Sequence, residues 1–168
     1  MQQSLTNEQL AEVTYELGLL YVTLENYEEA VVAFERVDEG SPTFDIEFKS
    51  KLEYAKAIKY LDREDESLDI LEELNDNTKY QENWDAVELE IAQIQLERGE
   101  NELALELFTK VDTAYKKTPS AGIAAYMRGD IVENIYEDFD SAKILYDRVN
   151  ATSAPEDFKL EARSKSQL

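Results

Sequence analysis

The sequence repeats itself four times with a period of about 37 residues. Small residues recur at steps of 37, at Gly18, Ala55, Ala92 and Gly129. Three further columns share steps of 37, 37 and 38: Ala30, Ser67, Ala104 and Ala142; Phe34, Leu71, Phe108 and Tyr146; and Val37, Leu74, Val111 and Val149. One residue is therefore inserted in the fourth row. A fixed period of this size predicts stacked units that complete one another's hydrophobic core.

Each row predicts two antiparallel helices joined by a short turn. The apolar residues in the first half of row one recur with helical spacing, at Leu10, Val13, Leu17, Leu20 and Leu24. Asn26 is then a predicted N-cap, with Glu29 three residues later as in a capping box. The second helix carries Ala30, Phe34 and Val37 on one face. It is predicted to end at the string DEGSP, because glycine and proline do not readily continue a helix.

Row one resembles the tetratricopeptide repeat, whose pattern is W-x2-L-G-x2-Y…A-x3-F…P. The matching residues are Leu17, Gly18, Tyr21, Ala30, Phe34 and Pro42, with Thr14 in place of the tryptophan. Rows three and four match in part, and row two matches least. The period of 37 is about three residues longer than the usual 34 of the family.

The resemblance implies an all-α fold, an α-α superhelix or tetratricopeptide-like solenoid of antiparallel helix pairs. It implies a single domain over residues 1–168, with repeats at approximately 8–42, 45–79, 82–116 and 120–154. Residues 155–168 are then either a terminal capping helix or the start of a fifth repeat.

Composition limits the function classes. The chain has 38 acidic and 17 basic residues and no histidine, which gives a formal net charge of −21, so a phosphate backbone would be repelled. The absence of cysteine and histidine excludes thiol and imidazole chemistry. No apolar run approaches the ~20 residues of a membrane span. We therefore expect a soluble protein that is not an enzyme, with no cofactor, metal, nucleic acid or membrane insertion. The compartment stays open, as does whether the chain is a fragment.

The resemblance also implies that the first helix of each pair lines a concave groove that binds a partner. Helix geometry selects the residues expected to face it: Tyr15, Leu19, Val22, Lys49, Leu52, Lys56, Lys59, Leu89, Gln93 and Tyr126. The three lysines of row two favour a peptide with an acidic group. Alternatively, they balance acidic neighbours such as Glu47 and Glu53. Chaperone-binding members of the family hold a carboxylate with Lys, Asn and Arg residues of their first helices. The groove positions of this sequence do not reproduce that set of residues.

These observations predict a protein-interaction module, a scaffold or adaptor that binds a peptide or partner protein in the groove. One alternative is a structural unit that forms homo-oligomers through its end faces. Another is a regulatory segment of a larger protein.

Overall fold

A computed structural model describes residues 5–167 as helices joined by short turns, with no strand in that range. The chain divides into two compact units, Met1–Tyr80 and Gln81–Leu168. The helices of the first unit are α1 (Asn7–Thr23), α2 (Tyr27–Glu35), α3 (Phe44–Lys59) and α4 (Glu64–Asp76). Those of the second are α5 (Trp84–Glu97), α6 (Asn101–Ala114), α7 (Pro119–Asn134), α8 (Phe139–Val149) and α9 (Glu156–Lys165). Short 3-10 segments span Arg36–Gly40 and Thr78–Asn83.

Each unit contains two of the four sequence rows, and each row is a pair of helices. Consecutive helices pack together within each unit, α1 on α2, α2 on α3 and α3 on α4, and likewise from α5 to α9. The prediction of an all-α fold built from helix pairs is therefore confirmed.

Polar side chains mark where the helices begin. Thr6 accepts a hydrogen bond from the backbone of Gln9, whose side chain accepts one from the backbone of Thr6, and this capping box starts α1. Asn26 caps α2 as predicted, because its side chain accepts from the backbone N–H of Glu29 at 3.4 Å. At α1 and α2, the side chain of the N-cap residue therefore accepts a hydrogen bond from a backbone N–H of the first turn that has no partner within the helix.

Gly40 ends row one for a reason that the sequence did not reveal. A Cβ at this position would lie 2.6 Å from the backbone nitrogen of Ala11 and 2.8 Å from the carbonyl oxygen of Asn7. The left-handed backbone of this turn is at the next residue, Ser41, with φ of 56°. Glycine is therefore required for close approach to α1 rather than for its own dihedral angles.

The column of small residues faces the bulky column, as predicted. A Cβ on Gly129 would lie 2.7 Å from Cε1 of Tyr146, and a Cβ on Gly18 would overlap the ring of Phe34. Ala55 and Ala92 are fully buried. The residues of the other three columns are also buried, at Ala30, Ser67, Ala104, Ala142, Phe34, Leu71, Phe108, Tyr146, Val37, Leu74, Val111 and Val149. The repeat columns therefore form the hydrophobic core of each unit.

The apolar stripe of α1 forms a helix as expected but does not face the core. Its five residues are 42–64% exposed: Leu10, Val13, Leu17, Leu20 and Leu24. The buried side of α1 is made by Ala11, Tyr15 and Gly18. In a repeat stack this outer side of a first helix is covered by the preceding row. Within residues 5–167, no row precedes row one.

Within unit two, the last helix α9 is held to α7 and α8 by a charged and aromatic cluster. Nζ of Lys165 lies 2.6 Å from Oδ1 of Asp130 and 3.0 Å from Oε2 of Glu133, and 3.1 Å from the hydroxyl of Tyr146. The Tyr146 hydroxyl also donates to Glu133 at 2.6 Å. Burial and the carboxylate of Glu133 raise the pKa of Tyr146, so the phenol stays protonated.

Candidate functional site

A pocket of about 200 Å³ lies among α1, α2 and α3 of unit one. It is lined by Val22, Tyr27, Glu53, Lys56, Ala57 and Tyr60. We call these six residues the tyrosine pocket. Val22 and Lys56 belong to the predicted binding residues, and the structure brings them together here. The lining combines apolar side chains with a few polar groups, which is the composition expected of a small recognition pocket.

Two stacked tyrosines form one wall of the tyrosine pocket. The ring centroids of Tyr27 and Tyr60 are 4.4 Å apart, with an angle of 16° between the ring planes. Desolvation by burial raises the pKa of Tyr27, and the nearby Tyr60 and Glu25 add to this effect. The phenol of Tyr27 is protonated at neutral pH, as an ordinary phenol is, and can donate a hydrogen bond. A stacked aromatic pair of this kind offers a large contact area, and a tyrosine side chain loses little conformational entropy on binding.

The three lysines predicted to face the groove have acidic or aromatic neighbours. Nζ of Lys56 lies 2.9 Å from Oε1 of Glu53, the pairing that the alternative interpretation of the lysines anticipated. Nζ of Lys59 lies 5.1 Å from the ring centroid of Tyr60, within reach of a cation–π interaction. Lys49 is exposed and pairs with Asp45 at 2.7 Å. A ligand carboxylate at Lys56 would therefore have to share this cation with Glu53.

Other predicted binding residues are buried instead of lining an open surface. Tyr15 packs on Phe34, with 6.0 Å between ring centroids. Leu89 lies in the core of unit two. Tyr126 is covered by α9, because the ring of Phe158 meets it edge-on at 5.3 Å between centroids. These three residues contribute to packing within their units. Helical spacing predicted which side of the helix they occupy, but it did not predict which neighbouring side chains cover that side.

The remaining predicted residues are half-buried. Leu19 packs with Val22 against the core of unit one, and Leu52 lies on α3 of the same unit. Gln93 is half-buried on α5 of unit two. Sequence reasoning did not select Tyr27 or Tyr60. The available signal was their position at helix ends, Tyr27 opening α2 and Tyr60 directly after α3.

Among residues 5–167, no group of three or more acidic side chains is arranged to hold a metal ion. No helix in that same range is both long enough and apolar enough to cross a bilayer.

Comparison with known proteins agrees with the fold. Residues 11–43 match the profile described as "Tetratricopeptide repeat". Two crystal structures of nearly identical TPR-like repeats from Podosopora anserina, named as a candidate kinesin light chain, superpose on the chain with a TM-score of 0.65. One of them is a single-substitution variant. Both are 17% identical to this chain, cover 98–99% of it, and are themselves covered over 86% of their length. The comparison with curated proteins gave no match.

Proposed function

We propose that this chain of tetratricopeptide-like repeats is a protein-interaction module that binds a peptide of a partner protein at the tyrosine pocket. Repeats of this kind generally act as non-catalytic scaffolds for protein partners, and no chemistry of its own is proposed for the chain. The observation that carries the proposal is the pocket itself. It places an aromatic pair, two apolar side chains and one charged pair within a single recess of unit one.

The pocket favours a peptide with an apolar side chain beside an acidic one. The apolar side chain would pack between Val22, Ala57 and the tyrosine rings, where it is removed from water. The acidic side chain would bind Lys56 and Lys59, which lie on one face of α3 next to the pocket. Since Lys56 also pairs with Glu53, the acidic contact would add selectivity more than affinity.

A random peptide display selection tests this proposal. We expect the enriched peptides to carry Asp or Glu next to Leu, Val or Phe. A Lys56→Glu/Lys59→Glu variant should bind them at least tenfold more weakly, because the two glutamates repel the acidic side chain of the peptide. Binding to the wild type should also weaken as salt rises, because the contact is partly electrostatic.

A variant with the same change in net charge serves as the control. Lys116→Glu/Lys117→Glu alters two exposed lysines of unit two and should bind as the wild type does. Peptides without an acidic preference would refute the role of the lysines. Full-strength binding by the Lys56→Glu/Lys59→Glu variant would refute it as well.

The alternatives drawn from the sequence remain predictions. Self-assembly through an end face would give a mass that rises with concentration in light scattering. A regulatory role would require catalytic residues elsewhere in a longer chain.

A further inference from the structure

The outer side of α1 presents a continuous apolar stripe to solvent. We call its five residues the outer seam: Leu10, Val13, Leu17, Leu20 and Leu24. Their exposed apolar area is on the order of 400 Å², which is at the size of the largest patch on a typical monomer. The largest apolar patch of a monomer is often a functional surface.

Two positions of the outer seam, Val13 and Leu20, have buried counterparts in later rows. Val13 and Leu20 are 53% and 54% exposed, whereas Ser50 and Ala57, 37 residues later in α3, are 3% and 1% exposed. Ser50 packs on the preceding second helix, because its hydroxyl donates to the carbonyl oxygen of Phe34 at 3.0 Å.

Unit two repeats this arrangement. Ala124 and Ile131, 37 residues further on than Val87 and Ile94, are 0% and 1% exposed. They share a core cluster with residues of α6, the second helix of the preceding row. Val13 and Leu20 of the outer seam therefore occupy the register that in later rows packs against a helix, and this points to a helix as the occupant of the seam.

The spacing of the seam also fits helix pairing. The steps of 3, 4, 3 and 4 residues are those of a heptad in which positions a and d are apolar. The stripe covers four helical turns, which is about 21 Å of helix. A seam with strict a and d positions is self-complementary, because the same side chains can serve as knobs and as holes.

The residues beside the seam favour a second copy over a basic partner. The flanking heptad positions are Gln9, Thr14, Glu16, Tyr21 and Thr23, so only one of them is charged. The hydroxyls of Thr14 and Thr23 already donate hydrogen bonds to backbone carbonyls of α1, at 2.7 and 2.9 Å. Removing water from these two hydroxyls therefore costs little free energy. A basic helix would find one counter-charge here, whereas two copies of α1 can meet with few carboxylates in contact.

We propose that the outer seam of α1 is the interface of a two-fold symmetric dimer, in which the α1 helices of two copies pack together. Two-fold contacts are the commonest arrangement of homo-oligomers. The exposed apolar area of the outer seam is smaller than the ~800 Å² per partner of a standard interface, so we expect the dimer to be weak. Because each copy carries a net charge of −21, added salt strengthens it.

Sedimentation velocity from 2 to 200 µM, in 0.05 and 0.5 M NaCl, tests the proposal. The wild type should change from monomer to dimer with concentration, and at lower concentration in the higher salt. The Val13→Glu/Leu20→Glu variant should remain monomeric. The matched control is Leu103→Glu/Ile144→Glu, which changes two exposed apolar residues of unit two and should dimerise as the wild type does.

A cross-link gives an independent readout should the glutamate variant fail to fold. The chain has no cysteine, so Leu17→Cys introduces a single thiol at the middle of the seam. Under mild oxidation it should form a disulfide-linked dimer, while Ile144→Cys should not.

Two results would overturn the proposal outright: a wild type that stays monomeric at 200 µM in 0.5 M NaCl, or a dimer that the seam variant leaves intact. Binding of a lysine-flanked amphipathic peptide to the seam without self-association would assign the face to a basic partner instead. Peptide binding at the tyrosine pocket is measured separately, so failure of one proposal leaves the other standing.

Discussion

Adding one methyl group at Gly129 tests how the small and bulky columns interlock. The new Cβ would lie 2.7 and 2.9 Å from Cε1 and Cδ1 of Tyr146, closer than van der Waals contact allows. The ring has little freedom to move, because it is buried and its hydroxyl is held by Glu133 and Lys165. Overpacking of this kind costs about 1–3 kcal/mol. Replacing a glycine in a helix with alanine stabilises the helix by about 1 kcal/mol, which offsets part of this cost. Gly129→Ala should therefore lower the free energy of unfolding by about 1 kcal/mol.

The same substitution should become favourable when the ring is removed. Row two shows the alternative pairing, since Ala55 and Leu71 are both fully buried in the corresponding columns. In a Tyr146→Leu background, the steric clash is absent and only the higher helix propensity of alanine remains. Gly129→Ala should then stabilise unit two by up to about 1 kcal/mol. The expected coupling between the two sites is thus about 2 kcal/mol.

Urea unfolding of the wild type, the two single variants and the double variant, followed by far-ultraviolet circular dichroism, measures this coupling. The hydrogen bonds of the Tyr146 hydroxyl are lost in both proteins that carry the Tyr146→Leu substitution, so their contribution cancels in the cycle. If the two substitutions add to within about 0.5 kcal/mol, the steric account of the columns is wrong.

Two further predictions concern unit one. Ser67 donates to the carbonyl oxygen of Ala55 at 2.7 Å, in a column where the other rows carry alanine. Ser67→Ala should therefore change the free energy of unfolding by less than about 1 kcal/mol, whereas Ser67→Leu should lower it by about 1–3 kcal/mol in the same urea assay. Burial alone would raise the pKa of Glu47, but hydrogen bonds from Lys79 and Tyr80 lower this pKa overall. The ionised Glu47 therefore stabilises the folded protein at pH values above the pKa that it has in the unfolded chain. This stabilisation is lost as the pH falls through the lower pKa that Glu47 has in the folded protein. Glu47→Gln should be less stable than the wild type at pH 7 and lose less stability down to pH 3, as measured by thermal melts; an unchanged pH slope would contradict this assignment.

The core of each unit could be predicted from the sequence because its residues recur at a fixed period. Gly18, Phe34 and Val37 each stand in a column of small, bulky or medium-sized residues, respectively, and close packing of helices depends on side-chain size. The N-cap at Asn26 was equally readable, since its side chain acts on a backbone group only three residues away.

What covers a surface could not be predicted in the same way. Tyr126 has the spacing of an exposed groove residue, yet Phe158 of α9 lies against its ring. The outer seam has the periodicity of a core stripe, yet it is exposed. Helical periodicity identifies the side of a helix to which a residue belongs. Whether that side meets water depends on neighbours far along the chain, above all at the first and last rows.

Lys165 lies in the last turn of α9 and covers the rings of two buried tyrosines, Tyr126 and Tyr146. Its ammonium group lies 5.7 and 5.3 Å from the ring centroids of Tyr126 and Tyr146, respectively. Proteolytic trimming upstream of this lysine would admit solvent to both rings at once. Their ultraviolet absorption could therefore report the loss of a few terminal residues long before the helices themselves melt.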